Sequence, residues 1–230
     1  MGFRCEVLDR VCNRIVDGPF GSSIKASDYV ESGIPFIRVA DVTRGEGSIK
    51  TDDLIYITEE AHERIIRSKV IPNDVVIAKT GATMGAASLV PLNIPEANIR
   101  GDLAALSLNL NHCIPQYASI YINTNIGQRL FWRLDSGGTR GRVVIGNLKK
   151  YPIIIPPKSI QEEVIAKMGA GYTVKKQKEA EAQRSHESID DYLLNELGIS
   201  LVEPEENIMQ NRTFYRKFSD ISSGRFDPKE

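Results

Sequence analysis

The sequence has few of the residues from which small catalytic and metal sites are built. Its three cysteines, Cys5, Cys12 and Cys113, are odd in number and none sits in a CxxC. Neither a disulfide framework nor a zinc knuckle is expected, and the three are read as reduced thiols. The three histidines, His62, His112 and His186, are far apart, and there is no HExxH. No metal site is therefore expected. GxxxxGK[ST] and GxSxG are both absent, which removes a phosphate loop of that kind and a nucleophile elbow. No Glu is followed two positions later by Lys, and no Asn-Pro-Pro-aromatic run occurs. These absences weigh against a Mg²⁺-dependent nuclease and against an adenine-flipping amino-methyltransferase. No catalytic residue is assigned. No apolar run approaches the roughly 18–20 residues that span a bilayer. The opening Met1-Gly2-Phe3-Arg4-Cys5-Glu6 has no apolar signal core, so a cytoplasmic protein is expected.

What is present is an ordinary globular composition. The chain has 230 residues, 41% hydrophobic and 26% charged, with a net charge of -1. The charge is unevenly spread. Residues 1–158 hold 19 Lys and Arg against 16 Asp and Glu, a net of +3, and the remainder holds 10 against 14, a net of -4. A weakly basic body with an acidic tail permits a surface for a polyanion without requiring one.

Residues 1–158 read as mixed α/β. Ile34–Val39, Leu54–Ile57, Val75–Ala78, Ala87–Val90 and Ala104–Leu108 are apolar runs of strand length bounded by turn residues. Thr58 reads as the N-cap of a helix reaching about Ser68, with Glu59 and Glu60 in its first turn. Pro115 to about Leu134 reads as one helix, since Tyr117, Ile120, Tyr121 and Ile126 repeat at helical spacing. Residues 143–145 and 152–155 read as short strands. After Pro156-Pro157 the composition shifts, and Ser159 to about Leu197 reads as a long helix with a possible break at Gly169–Gly171. Ser159 and Glu162 have the form of a capping box, and Gly198 that of a stop. One heptad frame aligns Met168, Tyr172, Ala182, Ile189 and Leu193, with Lys175, Glu179 and His186 interrupting it. Such a stripe suits a coiled coil that depends on a partner. Packing of the same residues on their own domain is the alternative. Residues 200–212 read as a polar linker.

Four loops combine Gly, hydroxyls and cations: Asp17–Lys25, Lys79–Gly85, Asn98–Asp102 and Ser136–Arg142. Gly allows close backbone approach, hydroxyls and N–H groups donate to phosphate oxygens, and Lys or Arg supplies charge. Any one such loop is usually a plain turn. Four in one domain point to an anionic polymer.

The ordered set of segments resembles the specificity subunit of type I restriction–modification systems. The matching residues are Gly18-Pro19-Phe20-Gly21-Ser22 with Tyr29, then Gly33-Ile34-Pro35-Phe36-Ile37-Arg38, then the run from Asn73 to Gly85. Gly137-Gly138, Ile153-Ile154-Ile155-Pro156-Pro157 and Gln161-Glu162 complete it, so that the likeness covers about residues 8–198. The resemblance implies an α/β (α+β) target recognition domain over 1–158 and a long coiled-coil-forming helix over 159–198. Residues 199–230, ending Gly224-Arg225-Phe226-Asp227-Pro228-Lys229-Glu230, would be a linker and the lead-in to a second recognition domain. The chain would then be an excised unit, or a half-size subunit acting as a dimer through its helix.

The resemblance further implies a non-catalytic module that reads one half of a bipartite duplex DNA target. It would dock modification (methyltransferase) subunits and, through them, a restriction subunit. S-adenosylmethionine, ATP and Mg would sit on those partners and no cofactor on this chain. Lys25, Arg38, Lys79, Arg100, Arg140 and Arg142 are the expected DNA-contacting cations, and Ser22, Thr80, Thr83 and Thr139 the hydroxyls. Lysines would position on phosphates and one or two arginines would read bases. Met168, Tyr172, Ile189 and Leu193 are the expected helix interface. The competing readings are the specificity part of a combined type II restriction–methyltransferase enzyme, an enzyme on a small anionic substrate cradled by the Gly-rich loops, and a protein-interaction scaffold without DNA readout.

Overall fold

The structure is a computed structural model, and it describes residues 3–19, 23–43, 47–137 and 141–198. Of the expected DNA-contacting residues, Ser22, Thr139 and Arg140 lie outside these. So do the expected linker and lead-in.

The chain opens with β1 (Arg4–Val7), α1 (Leu8–Val11) and β2 (Cys12–Asp17), followed by β3 (Tyr29–Val30), β4 (Ile34–Ile37) and β5 (Ile55–Ile57). Then come α2 (Glu59–Arg64), β6 (Lys69–Val70), β7 (Val75–Ala78), β8 (Ala87–Leu89), β9 (Ala97–Ile99) and β10 (Leu103–Leu108). The helices α3 (Pro115–Asn123), α4 (Asn125–Trp132) and α5 (Ile145–Leu148), the strand β11 (Pro152–Ile155) and the helix α6 (Lys158–Leu197) complete the described chain. The strands form a four-stranded sheet, β2-β10-β7-β8, a five-stranded sheet, β3-β5-β4-β9-β6, and a two-stranded β1-β11 ribbon. The four-stranded sheet is antiparallel throughout. In the five-stranded sheet β4 and β9 run parallel.

The apolar runs of β7 and β10 follow from burial on both faces. Val75 and Ile77 of β7, with Ala104 and Leu106 of β10, face a core shared with Tyr117, Ile122 and Phe131 of α3 and α4. Val76, Ala78, Leu103 and Ala105 face the opposite core, with Ile37, Val70 and Ile99 of the five-stranded sheet. Alternate residues thus enter different cores, and no polar face is needed. The four-stranded sheet is the middle layer between helices and a second sheet.

Most of the expected elements are present, and several expectations need correction. The single helix from Pro115 is two helices. Thr124 ends α3 in an extended conformation and caps α4, its Oγ1 accepting from Gly127 N at 3.0 Å and donating to Tyr121 O at 2.7 Å. A side chain at Gly127 would come within 2.1 Å of the Tyr121 carbonyl, so the break is built around Thr124 and Gly127. Residues 143–145 are not a strand. Val143 makes one backbone bond, to Lys79 O, and the chain then turns into α5. A three-residue apolar run carries too little period to separate strand from helix. The long helix begins at Lys158, so Ser159 is its second residue rather than its cap, and it runs unbroken past Gly169 and Gly171. Two interior glycines cost about 1 kcal/mol each, which 40 residues of helix tolerate.

The chain divides into two compact units between Lys176 and Gln177, inside α6. In the first unit α6 is tied to the body by Gln161, which is fully buried. Its Oε1 accepts from Ile114 N at 2.9 Å, and its Nε2 donates to Pro156 O at 2.9 Å and His112 O at 3.2 Å. Val164 and Ile165 pack against the helical core. No helix among the described residues is long and apolar enough to cross a membrane.

Candidate nucleic-acid interface

β2 ends, β7 ends and β10 begins at the same edge of the four-stranded sheet, because Asp17 pairs with Ala104 and Ala78 with Leu103. Sequence-distant loops therefore converge there. Gly18 N donates to Leu103 O at 3.1 Å. Its α-carbon sits so close to the β9–β10 loop that a Cβ would fall 2.0 Å from the Arg100 carbonyl oxygen. The β7–β8 loop leaves the same edge. Lys79 N donates to Asp102 O at 2.8 Å, and Gly81 N donates to Gly141 O at 3.3 Å. Thr80 Oγ1 donates to Asp102 Oδ1 at 3.2 Å. Thr80 also pairs with Arg142 as an isolated antiparallel bridge. Gly85 closes the loop with a φ of 86°, and Gln128 of α4 holds it by donating to Gly85 O at 2.6 Å.

The Gly-rich segment after α4 is fastened at both ends. Asp135 Oδ1 accepts from Gly137 N at 3.1 Å and Arg142 N at 2.8 Å. Ser136 N donates to Arg142 O at 2.9 Å. Asn147 of α5 donates to Leu134 O at 3.1 Å and Ser136 Oγ at 3.2 Å.

Charge is divided sharply at this edge. The Lys79 side chain is 1% exposed and forms an ion pair with Asp17, which is 43% exposed. Burial, and then the Arg142 charge, pull the Lys79 ammonium down to about 8 against the pull of Asp102. Arg100 and Asp102 approach to 3.8 Å with both side chains about half exposed. Thr83 and Arg142 are exposed.

The structure thus brings together Lys79, Thr80, Thr83, Arg100 and Arg142 from three of the four expected loops, with Asp17 and Gly18 from the first. Lys25 and Arg38 lie apart from them, with the five-stranded sheet. Lys25 is exposed, and its backbone N donates to Asp28 Oδ2 at 2.7 Å. Arg38 spends its guanidinium on Asp41 at 3.0 Å and Asp53 at 3.2 Å. These bonds, the one to Asp41 first, raise its pKa.

Sequence reading missed one feature. A cleft of about 450 Å³ is lined by Asp17, Gly18, Pro19 and Ser23 on one side and by Arg64, Ser68 and Arg67 on the other. Arg64 donates to Asp28 at 2.6 Å. Arg67 is exposed, and among the described residues it has no ion pair. The helix expected to reach Ser68 stops at Arg64 and continues as a 3₁₀ turn over Ile66–Ser68. That change of pitch places Arg67 on the cleft, and the only sequence signal was two arginines three positions apart.

Of the expected helix interface, Met168 and Tyr172 are half-buried, Tyr172 lying over Gly47. Ile189 and Leu193 are exposed, as are Tyr192 and Leu197.

The family described as type I restriction modification DNA specificity domain matches residues 21–207. The chain belongs to this family. No curated protein matches it in sequence. Among solved structures, the chain is similar to one from a study of complex assembly and conformational transition of the type I R-M system. The TM-score is 0.60 at 22% identity, over 84% of this chain and 45% of that one. It is also similar to the HsdS subunit from Thermoanaerobacter tengcongensis, with a TM-score of 0.55 at 22% identity over 83% of this chain and 44% of that one. These likenesses establish the fold: a specificity-domain body of sheets and helices followed by a long helix. The chain spans less than half the length of those solved chains.

Proposed function

We propose that this chain reads one half of a bipartite duplex DNA target and catalyses nothing itself. The observation that carries this reading is the convergence of the Gly-, hydroxyl- and cation-bearing loops at one sheet edge, in a chain of the specificity-domain family. Thr80, Thr83, Arg100 and Arg142 are the proposed contacts at that edge, and Ser22, Thr139 and Arg140, outside the described residues, are proposed with them from the sequence. Arg67 is added to them from the cleft. An exposed Arg without an ion pair can fork onto a phosphate or onto guanine O6 and N7. Lys25 and Arg38 are proposed as flanking groups, Arg38 chiefly holding its own loop.

The exposed Ile189, Tyr192, Leu193 and Leu197 of α6 favour a second role, docking of a partner helix. That partner is a second specificity unit, in the same subunit or in a second copy of the chain. Modification subunits, and a restriction subunit through them, would assemble on the DNA-bound unit. S-adenosylmethionine, ATP and Mg are proposed to belong to those subunits.

The test is selection from a randomised duplex library by the full chain, alone and with a modification subunit. Enrichment of one short motif is the expected result. Arg142→Gln should then flatten the log–log salt dependence of binding by about 0.9, the slope of one phosphate contact on duplex DNA. No enrichment in either arm rejects DNA readout and favours the scaffold reading.

A further inference from the structure

We propose that Lys79 is a positioning residue for base readout, a clamp that fixes the recognition loops in one arrangement and touches no DNA itself. The inference rests on the DNA-reading proposal above and replaces the phosphate contact that the sequence suggested for this lysine.

Three segments remote in sequence meet on Lys79. Its N–H donates to Asp102 O at 2.8 Å, its carbonyl accepts from Val143 N at 2.9 Å, and its ammonium meets Asp17. The two backbone bonds hold the β9–β10 loop and the entry to α5, and the ammonium is the side-chain tie that fastens the end of β2 to them. The groups best placed to reach DNA hang from the same frame. Thr80 follows Lys79 and bonds Asp102, Arg142 pairs with Thr80 and precedes Val143, and Arg100 approaches Asp102. A slackened frame would misplace all of them together.

The Lys79 side chain is 1% exposed. It could reach a phosphate only by leaving Asp17 and its pocket. A buried ion pair contributes little to stability and is often matched by an apolar residue of similar volume. The partner here is a half-solvated carboxylate, which tolerates loss of the lysine. A lysine kept in such a place fits a role in geometry better than a role in folding.

The test compares the full-length wild type with Lys79→Met and Asp17→Asn on the duplex that the wild type selects and on an unrelated duplex, each over a salt series. Thermal melting is run on the same samples. For a clamp, both variants lose at least tenfold in affinity for the selected duplex. Lys79→Met keeps wild-type affinity for the unrelated duplex and an unchanged salt slope, and it melts no lower than wild type, while Asp17→Asn, having lost a negative charge at the DNA face, binds the unrelated duplex no more weakly than wild type.

Asp17→Asn separates the alternatives. It removes a negative charge and frees Lys79, so a lysine that contacts DNA would bind the selected duplex more tightly rather than less, with a salt slope steeper by about 0.9. That result overturns the clamp, as does wild-type discrimination in both variants, or a slope reduced by about 0.9 in Lys79→Met. If Lys79→Met does not fold, Asp17→Asn decides by hydrogen exchange. Faster exchange at Thr80–Gly85 and Gly101–Asp102, with β7 and β10 unchanged, supports the clamp, and unchanged loops refute it. A wild type that selects no duplex refutes the DNA-reading proposal and this inference with it. Discrimination by the wild type that survives in both variants refutes the inference alone.

Discussion

Gly18 lies against the carbonyl of Arg100 so closely that a Cβ on it would stand 2.0 Å from that oxygen and 2.7 Å from Gly101 N. Both obstacles are backbone, so no side-chain rotation can relieve the contact. Gly18→Ala must push the β9–β10 loop away from β2 or unseat the Gly18–Leu103 hydrogen bond. The expected cost is about 1–3 kcal/mol, the usual range for overpacking. It would be read as a lower denaturant midpoint at unchanged m-value. A midpoint equal to wild type would mean that the two loops do not meet.

Gln161→Ala tests how α6 is joined to the body. Gln161 fills one acceptor and two donor roles for Ile114, His112 and Pro156. Truncation leaves one buried backbone group, Pro156 O, and two part-buried ones, Ile114 N and His112 O, without these partners. At roughly 1 kcal/mol for each, the loss should be about 2–3 kcal/mol. Gln161→Glu would keep the acceptor and lose the donors, so circular dichroism melts should order the proteins wild type, Glu, Ala or wild type, Ala, Glu, both variants well below wild type. A variant melting with the wild type would sink the role given to Gln161.

The three thiols should react very unequally. Cys5 is exposed, Cys12 half-buried and Cys113 buried. Burial pushes both Cys12 and Cys113 up to about 12. The thiolate is the reactive species, so at pH 8 iodoacetamide should add one group to the native chain and three after denaturation. Peptide mapping should place the first on Cys5. Rapid native labelling of Cys12 or Cys113 would contradict their burial.

The sequence showed the elements with the strongest local signals. β7 and β10 were legible because burial on both faces leaves only apolar residues, and α2 because Thr58 does cap it, accepting from Ala61 N at 3.2 Å. β1, β2, β3, β6 and β9 went unread. They are short or mixed in polarity, and long-range partners hold them: β1 pairs with β11 near the other end of the body, and β9 with β4 and β6. Loop chemistry at Lys79–Gly85, Asn98–Asp102 and Ser136–Arg142 could be listed from composition, but their convergence depends on strand register. Whether a cation faces water also depends on tertiary packing. Lys79 and Arg142 looked alike as loop cations, yet one is buried against Asp17 and the other is exposed.

That difference should be measurable as a pH dependence of folding. Lys79 is held at about 8 in the folded chain, against an ordinary value of 10.5. Below pH 8 both folded and unfolded chains carry its proton, and the fold bears the full cost of burying the charge. Between 8 and 10.5 the unfolded chain still binds the proton that the folded chain has released. Stability then rises with pH, by at most about 1.4 kcal/mol per unit from this one group. Lys79→Met lacks the group, so its stability relative to wild type should fall as the pH is raised from 7 to 10, by about 1–3 kcal/mol in total. Urea midpoints of the two proteins at those pH values give the comparison. Parallel curves would mean that Asp17 or water compensates the ammonium fully in the folded chain, so that Lys79 bears no net burial cost.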